Sequence, residues 1–411
     1  MQKIIILLFL LLSLFTNIFA ADFDFSGSIS NFQGFQVNYP NNYLSSWTEF
    51  STELRQSLDK LSVMASFKVK DHALDSSLNE IGIDELNIEY VSDDWDLKIG
   101  KQFIVWGKAD GVFITNVICP QDFRDFFSVD FADTQIPVNA VKWRYLGALA
   151  SLEVIWIPTF IPSESPAVTS PWYQTNPLIT ALNATINNPV LPANKLGNSE
   201  AAAKVTFFFP GIDVSFSGIS VWDDLPFYDI TFNWTGASIT PRYNRLTIIG
   251  AEFSKAMDSF VLRGEAAYYQ GKKYYPAAAS ISPLLPTSYE KDSISYLLGV
   301  DFFPGDSWSI TVQVADVYIL DHEAALLEKE HTLTSTINLS KKILNDTLTL
   351  SAITYLGITK EDQMVRAKAD YALTDEFHLI VGADAFMGNE NGVFGQYNEN
   401  NQVWFKAEFS F

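Results

Sequence analysis

From about residue 23 to the end of the chain, apolar and polar side chains alternate with a period of two. That pattern restricts the chain to extended strands with one dry face and one wet face. The stretch "NQVWFKAEFSF" sets Val403, Phe405, Ala407, Phe409 and Phe411 against Trp404, Lys406, Glu408 and Ser410. "FHLIVGADAFM" sets Phe377, Leu379, Val381, Ala383, Ala385 and Met387 against His378, Gly382 and Asp384. "VRAKADYAL" sets Val365, Ala367, Ala369 and Tyr371 against Arg366, Lys368 and Asp370. The segments "LNIEY", "VKWRY" and "LSVMASFKV" repeat the pattern, the last with Ser62, Ser66 and Lys68 on its polar face.

The connections alternate in length. Short turns read "SLDK", "SDDW", "YLGAL", "FPGID", "KAMDS", "FPGDS", "KILND" and "LTDE". Longer connections lie near 38–43, 71–83, 107–135, 159–198, 223–241, 271–289, 321–328, 357–361 and 388–399. The eight short turns make eight hairpins, with one further strand before them and one after. The expectation is an all-β transmembrane antiparallel barrel of about eighteen strands, with sixteen as the alternative. Short turns then face the periplasm and long loops the exterior. The last strand pairs with the first, which removes both sheet edges and puts Phe411 at the periplasmic rim facing lipid. A soluble sandwich would also alternate, but it needs no long and short rhythm of loops. A barrel with a wet interior satisfies both strand faces and leaves no backbone group unpaired in lipid.

Composition sets the compartment. Residues 1–20 have the basic Lys3, a long apolar run and Ala20, the pattern of a signal peptide, leaving 21–411 as a single barrel domain. No later run of about 18 apolar residues would make a membrane helix, yet 14% of residues are aromatic. The single cysteine, Cys119, excludes an internal disulfide. A net charge of −21 excludes a nucleic-acid partner. The expected location is the outer membrane of a diderm bacterium. The expected partners are outer-membrane lipid, the barrel assembly machinery reading the strand that ends at Phe411, and a small solute. The barrel is expected as a monomer or a trimer.

If one face meets lipid, the other lines a lumen. Its charges are Lys98, Lys142, Arg144, Lys204, Glu252, Arg263, Glu265, Asp301, Arg366, Lys368, Asp370, Asp384, Lys406 and Glu408. Lys98, Lys142, Arg144 and Lys204 fall on neighbouring strands and are expected to form a one-sided basic patch. The connection 107–135 carries Asp110, Asp122, Arg124, Asp125, Asp130 and Asp133 among Phe113, Phe123, Phe126, Phe127 and Phe131. So apolar a loop is costly in water. The expectation is that it folds into the lumen, with its phenylalanines on the wall and its acids opposite the basic patch.

The stretch "GKQFIVWGKADGVFITNVICPQDFRDFF" resembles the signature of an uncharacterised, domain-of-unknown-function family of bacterial outer-membrane barrels. In that signature G-[KR]-Q and W-G precede N-P-x-D-[FYL]-R. Gly100, Lys101, Gln102, Trp106, Gly107, Pro120, Asp122 and Arg124 match it, and Cys119 stands where the pattern has Asn. The resemblance implies an outer-membrane location and a porin-like, export or uptake role, without a substrate.

No enzyme is expected. His72, His322, His331 and His378 fall in no catalytic motif, and no metal-ligand spacing or cofactor motif is present. In the 159–198 connection, Leu178, Ile179, Leu182 and Ile186 have the spacing of a short helix, and 271–289 is a second candidate lid. The leading functional expectation is passive diffusion of small polar solutes. The alternatives are transport of hydrophobic compounds along loop aromatics, or a structural or adhesive surface barrel.

Overall fold

The computed structural model describes residues 23–411 except 39, 129, 174–181, 183, 235, 278, 279, 281–286 and 306. The expected signal peptide lies outside the described residues, as do most of the expected helix near 178–186 and the middle of the 271–289 lid.

In chain order the strands are β1 (Phe23–Gln36), β2 (Tyr43–Leu58), β3 (Leu61–His72), β4 (Glu80–Val91), β5 (Trp95–Gln102), β6 (Val138–Leu146), β7 (Ala150–Ile157), β8 (Thr185–Ile186), β9 (Glu200–Phe209), β10 (Ile212–Trp222), β11 (Phe227–Asn233), β12 (Gly236–Arg242), β13 (Arg245–Met257), β14 (Phe260–Tyr274), β15 (Tyr289–Phe302), β16 (Trp308–Ile319), β17 (His331–Ile343), β18 (Leu348–Gly357), β19 (Asp362–Ala372), β20 (Phe377–Gly388) and β21 (Gln402–Ser410). All but β8, β11 and β12 join one 18-stranded sheet, each strand antiparallel to its chain neighbours. β21 returns to β1 in register from Ser28↔Ser410 to Gln36↔Gln402 and closes the cylinder. The strand count agrees with the eighteen read from the loop rhythm.

The two strand faces meet different surroundings. Val403, Phe405 and Phe409 are exposed on the outside of β21, and Trp404 between them is buried inside. Beyond the sheet, Gly27 and Phe411 exchange both backbone hydrogen bonds, at 2.9 and 3.0 Å. The Phe411 ring lies over Gly27, where an added Cβ would stand 2.8 Å from Cζ. Only glycine lets the ring seat there.

Two boundaries differ from the sequence reading. β5 stops at Gln102, because Gly100 takes a φ of +131° and the chain from Ile104 turns to pack on the inner wall. The 223–241 connection contains the β11–β12 hairpin, and β8 pairs with β12 to make a separate three-stranded sheet around buried Ile230 and Ile239.

Gly27→Val should displace Phe411 and lower barrel stability by roughly 1–3 kcal/mol, the usual cost of overpacking. The check is the denaturant midpoint of the β-sheet circular dichroism signal. An unchanged midpoint would show that the Phe411 contact does not hold the seam.

Candidate functional site

The connection 103–137 has two limbs with different chemistry. The first, to about Cys119, is apolar. Ile104, Trp106, Ile114, Ile118 and Cys119 form one buried cluster with inward residues of β6, β7, β9, β10 and β13–β16, among them Ile155, Ile248 and Leu297. Burial of that many aliphatic groups drives the limb onto the wall. Glu265 on β14 then fixes its path. Its carboxylate accepts the N–H of Lys108, the N–H of Ala109 at 2.6 Å, the N–H of Thr115 at 3.3 Å and the Thr115 hydroxyl at 3.0 Å. Converging backbone donors of this kind form an anion-binding nest. Next to it, the Asp110 carboxylate accepts from Arg263 at 2.7 Å, and Arg263 also reaches Asp301 at 2.6 Å. Gln313 both accepts from Asp110 N–H at 3.0 Å and donates to its carbonyl at 2.9 Å. Cys119 Sγ accepts the Ile104 N–H at 3.2 Å, and burial pushes the thiol up to about 12. The thiol is therefore a packed acceptor, not a nucleophile.

The second limb is held by polar groups. Asp125 Oδ2 accepts from Ser45 on β2 at 2.6 Å and from Ser128 at 2.8 Å. His72 Nε2 lies 3.4 Å from the same oxygen, and its Nδ1 accepts the Asp75 N–H at 3.1 Å. Because Nδ1 is an acceptor, the neutral ring carries its proton on Nε2, toward Asp125. The Ser45 hydroxyl donates to the aspartate, so this trio is a latch and lacks the geometry of a nucleophilic triad. Trp47 Nε1 donates to Ser128 at 3.0 Å. Phe127 is buried among Trp172, Phe386 and Tyr397, with ring centroids at 4.7, 4.7 and 5.2 Å. Its carbonyl accepts from Arg366, which is paired with Asp384 at 2.7 Å. Asp130 pairs with Lys368 at 2.7 Å.

Between this limb and the strands lies a cavity of about 220 Å³. Lys68 and Lys70 on β3, Arg366 and Lys368 on β19, Lys406 on β21 and Arg124 line it with positive charge. Asp122, Asp125, Asp130 and Asp133 from the connection, with Glu49, Glu80 and Glu408 from the wall, supply the negative charge. Phe32, Trp47 and Trp404 stack along one side at 5.5 and 5.6 Å, with Lys70 over Trp47 at 4.5 Å and Arg366 over Trp404 at 5.7 Å. Burial alone would raise Asp122, but the Arg124 guanidinium bonded to it wins and holds it below the usual carboxylate range. Burial opposes Lys368 and Arg366 at Asp130 in the same way, and the net shift is downward. Asp133 goes up, first from burial and then from Asp130 beside it.

The expected basic patch is arranged differently. Lys98 and Lys142 do stand opposite one another on β5 and β6. Arg144, however, is paired with Asp96 at 2.8 Å, and Lys204 lies 3.6 Å from Glu252 and 4.7 Å from the Trp106 ring centroid. Wall acids therefore balance the patch, and the acids of the connection meet β2, β3, β14 and β19 instead. Asp370 pairs with His378 and Lys406 with Glu408, both at 2.7 Å. Sequence reasoning missed Lys70, Glu49 and Glu80. The wet-face position of Lys68 in "LSVMASFKV" was the available signal, and Lys70 continues it.

A family model described as "protein of unknown function (DUF1302)" matches residues 23–406. The chain belongs to that family. No curated protein sequence matches it. Among solved structures, it is similar to OccAB2 of Acinetobacter baumannii at 10% identity and a TM-score of 0.53, covering 95% of this chain and 98% of that one. OccK11 (OpdR) of Pseudomonas aeruginosa matches at 8% identity and a TM-score of 0.52, covering 95% and 96%. OccAB3 of A. baumannii matches at 7% and 0.51, covering 95% and 99%. At such identities the likeness is one of fold. This DUF1302 chain is thus an outer-membrane β-barrel of porin-like architecture.

Glu265→Ala should leave several buried N–H groups without an acceptor, each at a cost of about 1–3 kcal/mol. Amide hydrogen exchange of 107–115 should accelerate while the strands stay protected. Unchanged protection of 107–115 would show that the apolar cluster alone fixes this limb.

Proposed function

We propose that this DUF1302 barrel is a channel for passive diffusion of small polar or charged solutes, with the 103–137 connection folded into the lumen as its constriction. The single observation that carries the reading is the cavity beside 122–134, lined by charge of both signs. A connection rooted between β5 and β6 that bonds to β14, β16 and β19 spans the barrel interior. The passage it leaves is eccentric. The apolar first limb fills the β6–β16 side, and the charged space runs along β1–β4 and β19–β21. Acids on the connection face Lys68, Lys70, Lys368 and Lys406, so a permeating ion crosses a transverse field of the kind that sets selectivity. A hydrophobic transport path would need the loop aromatics on an open surface, and the burial of Phe127 weighs against it.

Single-channel recording in a planar bilayer should give steady ohmic steps with a definite reversal potential under a salt gradient. A folded barrel that stays silent under all voltages would sink the channel reading. Lys68→Gln with Lys368→Gln should shift the reversal potential toward cation preference, and Asp130→Asn with Asp133→Asn should shift it toward anion preference.

The two loop acids also define a pH dependence. Asp133 is raised, so as pH falls it protonates first, above the usual carboxylate range. Asp130 is lowered and keeps its charge until the pH is below that range. Cation preference should therefore decline in two steps as pH falls. Asp133→Asn should abolish the upper step and keep the lower one. A variant that retains both steps would show that Asp133 does not face the permeating ion.

A further inference from the structure

Two adjoining cavities carry carboxylates that have no ion-pair partner among the described residues. In the inner one, beside 122–134, most cations are already committed. Arg124 holds Asp122 at 2.6 Å and Glu164 at 2.8 Å, Lys368 holds Asp130 at 2.7 Å, and Lys406 holds Glu408 at 2.7 Å. Arg366 is matched by Asp384 at 2.7 Å, and Lys68 by Asp84 at 3.4 Å. Glu49, Glu80 and Asp133 remain, all in the cavity wall. Register sets Lys70 opposite both Glu49 and Glu80, yet it forms an ion pair with neither, and its ammonium lies over the Trp47 ring at 4.5 Å. One lysine among these carboxylates leaves a surplus of negative charge in a confined space, where an unmatched charge is costly.

The second cavity, of about 460 Å³, lies on the long-loop side. Pro171 and Tyr173 form one part of it, and residues of the β20–β21 connection form the rest. Glu390 and Glu399 are its charges, and no basic residue stands in its described lining. Neither carboxylate has a hydrogen-bond or ion-pair partner among the described residues. Tyr397 in this wall packs on Phe127 in the wall of the inner cavity, with ring centroids 5.2 Å apart, so the two cavities adjoin. Among the described residues, no group of three acidic, histidine or cysteine side chains comes together to hold a metal ion. The acids are spread along a route instead. Separated charges of one sign draw in a counter-ion and let it leave again. Leu78 and Ile380, both half-buried in the inner wall, add apolar surface beside the acids.

Resting on the channel reading above, we propose that the solute is a small organic cation, an alkyl amine that is gathered by Glu390 and Glu399 and bound at Glu49, Glu80 and Asp133. Its ammonium donates charge-assisted hydrogen bonds to these carboxylates. Its alkyl stem lies on Leu78 and Ile380. Lys70 stands beside this site as the one cation without a carboxylate of its own, and it sets an upper limit on how tightly the amine is held.

The test is isothermal titration of the detergent-purified barrel with putrescine at low ionic strength. Succinate serves as the anion of equal length, butanediol as the neutral form and magnesium chloride as the metal dication. Putrescine should bind more tightly than all three. Combined Glu49→Gln, Glu80→Gln and Asp133→Asn should weaken it by about tenfold or more, the scale of losing charged hydrogen bonds. Lys70→Gln should hold putrescine at least as tightly as wild type. In a planar bilayer, putrescine should interrupt the potassium current, and Glu390→Gln with Glu399→Gln should slow the onset of block without changing the titrated affinity. Heat-modifiable gel migration reports that each variant is folded. A conducting barrel that binds no putrescine, or that binds succinate or magnesium as tightly, would overturn the cation site and leave the channel standing. A folded triple variant that binds as well as wild type would overturn it as well, and an unchanged onset of block would remove the outer cavity from the route. Binding to a barrel that stays silent in the bilayer would keep the site and overturn the channel.

Discussion

Every backbone N–H and C=O in the hydrocarbon layer must be paired within the protein, and the rest of this molecule follows from that requirement. It forces the sheet to close, so the eighteenth strand must find the first, and β21 lies against β1 over nine residue pairs. Closure creates an inside, and the inside has to be filled or wetted. Strand alternation then decides what each side chain meets: lipid for Val403 and Phe405, the interior for Trp404 and Lys406.

The connection 103–137 is held by two kinds of adhesion. Residues 103–119 stay because water is excluded from an aliphatic cluster and because Glu265 neutralises a turn of converging N–H groups. Residues 121–136 stay through directional polar contacts: Ser45 and His72 on Asp125, Trp47 on Ser128, Arg366 on the Phe127 carbonyl. Buried ion pairs such as Arg366–Asp384 add little net stability but penalise misplacement strongly. The apolar limb therefore supplies most of the adhesion, and the polar limb fixes position where charge lines the space.

The barrel was legible in the sequence because its signals are local. A period of two, a turn every second connection and an aromatic last strand are each read within a few residues. The destination of the connection was legible only as a tendency, from its phenylalanines. Its partners were not legible, because Glu265 lies 156 residues from Ala109 and Lys368 lies 238 from Asp130. Which wall faces which loop acid depends on the curvature of the closed sheet, and no periodicity encodes that. Hence Lys98, Lys142, Arg144 and Lys204 read as a free basic patch, although Asp96 and Glu252 meet two of them. The β11–β12 hairpin was missed for a different reason: its strands are short and lie in a stretch that reads as loop.

The charged cavity straddles the seam. Ser28, Ser30 and Phe32 come from the first strand, and Trp404, Lys406 and Glu408 from the last. These walls meet only when the final strand pairing forms, so the cavity is absent until β21 lies against β1. On the channel reading proposed above, biogenesis and permeability are tied to one event, because the aperture comes only with the sealed sheet.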